Sequence, residues 1–412
     1  MSTVRRLLIV LLLLTASGPL QAQRPLDDPF QVNVRREAFE TSPHVATNRA
    51  GDFVVTWAGG TLESGNPGTE GRLYARRFGA DGRPATGEIQ VADQVAPFAT
   101  SSAVALMGDG SFAVAFSQWR QTPSSTVLTL KVRWYTPEGA ARGDAVVVRS
   151  PGDVVSMATA GDGGVVLAWS QGFDTGLPPV WARAYGPDRA PLGPAVLVAP
   201  SGVRATVAAA ADGSFAVAWQ DLSPARNPRD RVSRVALRRF APDGSPRGKT
   251  LDVAGSFRFD GLDDPLLMIF AGVDGDGNVL VVWSQIFGAP GTSSPSGRWV
   301  SAAGQPLGRI FSVPPGDGNA VPDAFAVGGR GNFVLSWHRE SSNGTIRDVL
   351  TRRYSRDGTP PGSALQVNED GPTLFRFEDA AGILPGGRWV VVWGDGQPDG
   401  APVIFARRFR SR

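Results

Sequence analysis

The sequence predicts an all-β protein, a seven-bladed β-propeller with four strands in each blade, and three observations lead to this fold class. Glycine (51) and proline (33) are abundant among 412 residues, which favours short strands and tight turns. One strand-like motif recurs seven times at a mean period of about 56 residues. An unmatched strand also stands near the N-terminus, while the last repeat lacks its final strand.

The first element of each repeat is a Gly-containing turn followed by five strand-like residues that end in an aromatic. The first copy reads GDFVVTW, and in it Phe53, Val55 and Trp57 share one face. Neither face is charged in any copy, which is typical of a sheet covered on both sides, as stacked blades require. The terminal aromatics are Trp57, Phe116, Trp169, Trp219, Trp283, Trp337 and Trp393.

The second element is a strand with an arginine two places before its final aromatic or apolar residue. We call these arginines the arginine column: Arg76, Arg133, Arg183, Arg238, Arg298, Arg352 and Arg407. A residue present in every repeat serves the repeat, so we expect the column to stack on aromatics or to pair with turn aspartates. A ring of guanidinium groups that binds anions is the alternative.

The third element is usually an Asp-Gly turn followed by a short strand, such as the one that begins at Glu88. This strand has only six copies in place. Residues 30–34, beginning Phe30-Gln31-Val32-Asn33, resemble the copy at Leu365, so we expect them to pair with the last repeat and close the ring. A strand poor in large residues precedes each Gly turn and is the fourth strand of the blade. Because the seven blades form one closed ring, we expect residues 23–412 to be a single domain.

Residues 1–22 have the features of a secretory signal peptide. Two arginines precede an apolar run from Leu7 to Leu14, and small residues lead to a cleavage position after Ala22. The run is shorter than the roughly 20 residues that span a bilayer. We therefore expect export to the periplasm or the cell exterior, and a mature chain without a transmembrane segment.

Two segments carry a resemblance to a known family. Tyr74–Phe78 reads YARRF and Phe405–Phe409 reads FARRF, and together with the turn and strand motifs they give units of the form D-G-x-F-V-V-x-W, Y-A-R-R-F-x-x-D-G-x-P-x-G and F-Q-V-N. The chain resembles a repeat of large secreted and surface proteins of bacteria. The resemblance covers nearly the whole mature chain and implies a propeller-like architecture, but no catalytic residues.

Composition excludes several kinds of chemistry. The absence of cysteine removes thiolate nucleophiles and disulfides, and two histidines are too few for a His-rich metal centre. The net charge is only +3, and only two residues are lysine, so no concentrated basic face for nucleic acid is expected. We expect no cofactor and a monomeric protein.

The loops after the terminal aromatics differ most between repeats, and variable loops on a repeating scaffold usually carry recognition. Within them the least repetitive residues are Trp119, Arg120, Arg226, Arg229, Arg231 and His338. For the three clustered arginines a solvated basic loop is the alternative. His338 has a side chain suited to general base catalysis, although no second histidine lies near it in the sequence.

Asp274, Asp276 and Asn278 place oxygen ligands at alternate positions, as a calcium loop does. Their register matches the plain Asp-Gly turns of the other repeats, and Val279 stands where an EF-hand loop needs glycine. A turn is therefore the favoured interpretation, and we expect no metal.

The leading functional hypothesis is an exported propeller that recognises a protein or polysaccharide through its variable loops. A glycosidase or lyase is the alternative, and it requires paired carboxylates about 5 to 9.5 Å apart at the mouth of the channel. A third hypothesis is a purely structural component of the cell envelope. The non-repeating candidates for such a pair are Glu63, Glu70, Asp174, Asp221, Glu340, Asp395 and Asp399.

Overall fold

The computed structural model describes residues 23–37, 39–60, 71–95, 102–121, 126–150, 153–161, 163–170, 178–223, 232–258, 266–286, 295–314, 320–340, 346–369, 375–396 and 402–411. Regular structure in these ranges is β-strand apart from a 3₁₀ turn at Pro385–Gly387. Over the same ranges, no helix has the length and apolar character needed to cross a bilayer. The predicted signal peptide lies outside them and stays a prediction.

The strands form seven antiparallel sheets, one for each repeat, which confirms the predicted fold class. The first two strands of the chain, β1 (Gln23–Pro25) and β2 (Phe30–Gln31), belong to the last blade. Blades 1 to 3, each from inner to outer strand, are β3 (Phe39–Thr47), β4 (Phe53–Gly60), β5 (Gly71–Phe78) and β6 (Ile89–Asp93); β7 (Ser102–Leu106), β8 (Phe112–Gln121), β9 (Thr126–Tyr135) and β10 (Val146–Arg149); and β11 (Asp153–Thr159), β12 (Val165–Ser170), β13 (Val180–Tyr185) and β14 (Val196–Ala199). Blades 4 to 7 are β15 (Val203–Ala209), β16 (Phe215–Ser223), β17 (Val232–Phe240) and β18 (Pro246–Arg258); β19 (Leu266–Val273), β20 (Val279–Ile286), β21 (Ser296–Val300) and β22 (Pro306–Ser312); β23 (Ala320–Val327), β24 (Phe333–Glu340), β25 (Ile346–Tyr354) and β26 (Leu365–Gln366); and β27 (Phe375–Leu384), β28 (Arg388–Gly396) and β29 (Pro402–Ser411) with β1 and β2.

The inner strands surround a central channel. Each inner strand contacts the inner strand of the next blade, and β27 of blade 7 contacts β3 of blade 1, so the ring is closed. Apolar clusters fill the seven junctions between consecutive blades. Every residue of β4 is buried, in agreement with the two uncharged faces of the strand motif.

The N-terminal segment completes blade 7, as predicted. Phe30 pairs with Ala406, and the Val32 amide donates to the Ile404 carbonyl at 2.7 Å. β2 is shorter than the predicted 30–34, because at Asn33 a side chain replaces the main chain as the hydrogen-bond acceptor. Asn33 Oδ1 accepts from the Ile404 amide at 2.9 Å. The sequence did not predict β1, which pairs with residues 409–411 of β29.

Within the described residues, a β-bulge interrupts the inner strand of five blades. Each bulge lies opposite the repeat tryptophan or next to the residue that pairs with it. In blade 1 the bulge contains Ser42 (φ 50°), and in blade 4 it contains Arg204 (φ 54°), both in the left-handed region. Each inner strand begins at the end of the blade where the second strand ends. The bulges lie in this first part of the inner strands, so they are near one mouth of the channel.

Candidate functional site

The two sides of the ring differ. On the turn side, the connections between first and second strands and between third and fourth strands are tight turns. There, arginines link neighbouring blades: Arg77 Nη2 lies 2.5 Å from Asp52 Oδ2, and Arg77 Nη1 donates to the Pro137 carbonyl of blade 2 at 3.2 Å. The opposite side, which we call the loop side, carries the variable loops and the connections between blades.

The arginine column is engaged within the scaffold. The Arg76 guanidinium lies 5.5 Å from the ring centroid of Phe78, and four other members lie 5.5 to 6.0 Å from the corresponding ring. Arg76 Nη1 also donates to the Val32 carbonyl at 2.8 Å, and Arg407 Nη1 donates to the Val367 carbonyl at 3.1 Å. Each acceptor directly follows the outer strand of the preceding blade. These acceptors are main-chain carbonyls and not the turn aspartates that the sequence offers as partners.

A cleft opens between blades 1 and 2. It has a volume of about 260 Å³. We call it the blade 1–2 cleft and define it by Gln90, Asp93, Phe116, Gln118, Lys131 and Arg133.

The cleft occurs where blade 2 departs from the repeat. Phe116 replaces the usual tryptophan, and its partner across the strand pair is Lys131. On the third strand of each blade, the residues that pair with the six repeat tryptophans are uncharged: Tyr74, Trp181, Ala236, Ser296, Leu350 and Phe405. A smaller ring and a flexible cation therefore occupy the position that elsewhere holds tryptophan and a neutral neighbour.

A chain of hydrogen bonds orders the polar wall of the cleft. Lys131 Nζ donates to Gln118 Oε1 at 2.5 Å, and Gln118 Nε2 donates to the Asp93 carbonyl at 2.9 Å and to Asp93 Oδ1 at 3.2 Å. Arg133 Nη1 donates to the Val91 carbonyl at 3.3 Å. Two cations and one carboxylate face the same small space, so the local charge is positive.

The structure brings few of the sequence-predicted binding residues together. Trp119 lies half-buried beside the cleft, where its amide donates to the Gln94 carbonyl at 3.0 Å. Arg120 belongs to β8, but its side chain lies outside the described residues, as do Arg226, Arg229 and Arg231. His338 belongs to blade 6, where its Nδ1 is hydrogen-bonded to the Asp323 carboxylate of the inner-strand bulge. Trp119 and His338 are therefore in blades that do not adjoin.

The carboxylates considered for an enzyme do not converge within the described part of the chain. Asp221 in blade 4 accepts from Arg234 Nε at 2.7 Å, and Asp395 is buried in blade 7. Glu63, Glu70, Asp174, Asp399 and the side chain of Glu340 lie outside the described residues.

A different acidic pair, which sequence reasoning missed, lies at the junction of blades 7 and 1. Glu40 is only 1% exposed and accepts a hydrogen bond from the Asn33 amide group. Burial, with the nearby charges of Glu88 and Glu37, raises the pKa of Glu40 to about 8. Glu37 accepts from the Tyr74 hydroxyl at 2.6 Å, and burial together with this bond raises the pKa of Tyr74 to about 12.

This acidic pair fixes the connection from the closing strand to the first inner strand. Glu37 also accepts from Arg72 Nη1 at 3.0 Å. Because Glu40 is only 1% exposed, its carboxyl is closed to a substrate. The only signal in the sequence is the placement of two glutamates between the closing strand and the first repeat.

The Asp274 stretch has the geometry of a turn. Asp274 Oδ1 accepts from the amides of Asp276 and Asn278 at 3.0 and 2.9 Å, and Oδ2 lies 2.5 Å from Arg356 Nη1. Among the described residues, no group of three or more acidic, histidine or cysteine side chains is arranged to hold a metal.

No protein-family model matches the sequence, and no curated protein matches it either. Solved structures do share the fold. A protein of unknown function from Dyadobacter fermentans is 12% identical with a TM-score of 0.52, and the match covers 95% of this chain and 99% of that one. The polysaccharide lyase Uly1 is 10% identical with a TM-score of 0.53, over 89% of this chain and 90% of that one.

A third similar structure is a PL25 ulvan lyase bound to -[GlcA(1-4)Rha3S]-. It is 12% identical to this chain with a TM-score of 0.53, over 93% of this chain and 95% of that one. At such identities the three structures show a common propeller architecture and nothing more specific.

Proposed function

We propose that the protein is an exported propeller that binds an acidic polysaccharide, with the blade 1–2 cleft as a point of contact. The observation that carries the proposal is the replacement of a buried tryptophan and its neutral neighbour by Phe116 and Lys131. A repeat position that changes in one blade alone, and opens a cleft there, is a better candidate for recognition than a position shared by all blades.

The chemistry of the cleft suits a sugar that carries an anionic group. Gln118 and Asp93 offer hydrogen-bonding groups to hydroxyls, and the ammonium of Lys131 offers a charge-assisted bond to an anion. Polysaccharide lyases are among the proteins that share the fold, and one is bound to a sugar with glucuronate and sulfated rhamnose. These neighbours support a glycan ligand through fold analogy alone.

The test measures binding of residues 23–412 to a panel of acidic and neutral polysaccharides by affinity electrophoresis. Lys131→Ala is expected to weaken binding to an acidic glycan about tenfold or more, since a hydrogen bond to a charged group contributes about 1.5–3 kcal/mol. Phe116→Trp restores the residue of the other blades and is expected to weaken binding by filling the cleft.

Lys249→Ala is the matched control because Lys249 is the only other lysine and lies exposed on the outer strand of blade 4. This variant is expected to bind as the wild type does. Unchanged binding in both Lys131→Ala and Phe116→Trp, with thermal unfolding like that of the wild type, would contradict the proposal.

A further inference from the structure

Arg204 stands out among the arginines near the mouth of the channel. It lies in the bulge of β15, between the pairs Val203–Gln220 and Thr206–Ala218 and therefore opposite Trp219. Its backbone has φ 54°, a region that non-glycine residues rarely adopt. The bulge of blade 1 holds Ser42 in the same conformation, so this backbone shape does not require an arginine.

The Arg204 guanidinium has no oxygen partner within the described part of the chain. Its hydrogen bond there runs from Nη1 to the sulfur of Met268, in the inner strand of blade 5, at 3.3 Å. A thioether sulfur is a weak acceptor and cannot balance a positive charge. Burial lowers the pKa of Arg204, and no nearby carboxylate offsets the effect.

Another half-buried arginine at the same junction between blades 4 and 5 does have an oxygen partner. Arg298 Nη1 donates to the Val253 carbonyl at 3.0 Å, although its Nε has no partner among the described residues. Burial of a charge without a partner is costly, so proteins seldom keep one unless a ligand completes it. Arg204 remains partly exposed, so a small solute can reach it.

We propose that Arg204 binds an oxyanion, a carboxylate or a sulfate group, at the loop-side mouth of the channel between blades 4 and 5. The planar guanidinium presents paired N–H donors that match two oxygens of such a group. This site lies three blades away from the blade 1–2 cleft along the chain, and the inference does not depend on the polysaccharide proposal.

The experiment measures thermal unfolding of residues 23–412 with sodium glucuronate, sodium sulfate, or sodium chloride at matched ionic strength, and with glucose as the neutral sugar. At about ten times the dissociation constant, an oxyanion is expected to raise the Tm of the wild type by about 2 °C relative to chloride. Arg204→Met, which places a second thioether beside Met268, is expected to lose that rise.

Arg298→Met is the control because it removes one positive charge at the same junction from a guanidinium that has an oxygen partner. It is expected to keep the rise. A response to glucuronate alone identifies a carboxylate site, and a response to sulfate alone identifies a sulfate site.

Two results would overturn the proposal: an equal rise in wild type and Arg204→Met, or no rise in the wild type with either anion. If Arg204→Met does not fold, Arg204→Lys replaces it. The lysine keeps the charge without the paired donors, so its rise is expected to be smaller than that of the wild type.

Discussion

Glu40→Gln is expected to remove a pH dependence of stability that the wild type shows between pH 6.5 and 8. The Glu40 carboxyl is enclosed, and burial raises its pKa from 4.5 to about 8. Between these values the native state holds a proton that the unfolded state has lost, so the free energy of unfolding falls as pH rises. Glutamine has nearly the same shape and no charge, so the variant has no such dependence.

The magnitude follows from the raised pKa of Glu40. One pKa unit corresponds to about 1.4 kcal/mol, so the full change is on the order of 5 kcal/mol, of which about 2 kcal/mol falls between pH 6.5 and 8. Burial lowers the pKa of His44 to about 4, and the unfolded state binds a proton at this group mainly below pH 6.5. Within the chosen window, the opposing effect of His44 is therefore only about 0.4 kcal/mol.

The assay is urea unfolding followed by the fluorescence of the 11 tryptophans, at several pH values across the window. The wild type is expected to lose about 2 kcal/mol of unfolding free energy, and Glu40→Gln almost none. Glu138→Gln, which changes an exposed carboxylate, is expected to keep the wild-type slope. A flat wild-type profile, or an equal slope in Glu40→Gln, would refute the reasoning.

Two further predictions concern the closing of the ring. Asp27→Ala leaves the buried Arg408 guanidinium without its carboxylate and is expected to lower the free energy of unfolding by about 3 kcal/mol. Asp144→Ala, at an exposed position, is expected to change it by less than about 0.5 kcal/mol. Equal losses for the two variants in urea unfolding would contradict this prediction. Gly82→Ala is expected to lower the free energy of unfolding by about 2–3 kcal/mol, because φ is 81° and a Cβ would lie 2.8 Å from Arg408 Cζ. Gly143→Ala, with φ 89° and open space around the new Cβ, is expected to lower it by about 1 kcal/mol. Calorimetry that ranks these two glycine variants in the reverse order would show that contact with Arg408 is not the cause.

The repeat positions could be predicted from the sequence because seven copies reveal which residues the scaffold requires. The buried aromatics and the two uncharged faces of the strand motif follow from alternation alone. Ring closure could be predicted because residues 30–33 match a strand that the final repeat lacks. By contrast, β1 could not, since Gln23–Pro25 has no apolar alternation and is held by pairing with β29.

The candidate site depends on register, which a single sequence does not reveal. The replacement of tryptophan by Phe116 is visible in the sequence, but its pairing with Lys131 requires the alignment of β8 with β9. The bulge that holds Arg204 likewise depends on how β15 meets β16. Much of the predicted recognition surface, including Arg226, Arg229 and Arg231, lies outside the described residues, so those assignments stay predictions.

The closing strand also bears on the order in which the molecule can be built. The Asn33 side chain and the Ile404 amide are hydrogen-bonded across 371 positions of the chain. A ribosome makes the first of these groups long before the second, so β2 has no partner until almost all synthesis is complete. The entropy cost of so long a loop grows only logarithmically with its length, but such distant pairing is slow. Joining of the earliest and latest segments is therefore expected to be the final event in maturation, after the intervening blades have stacked.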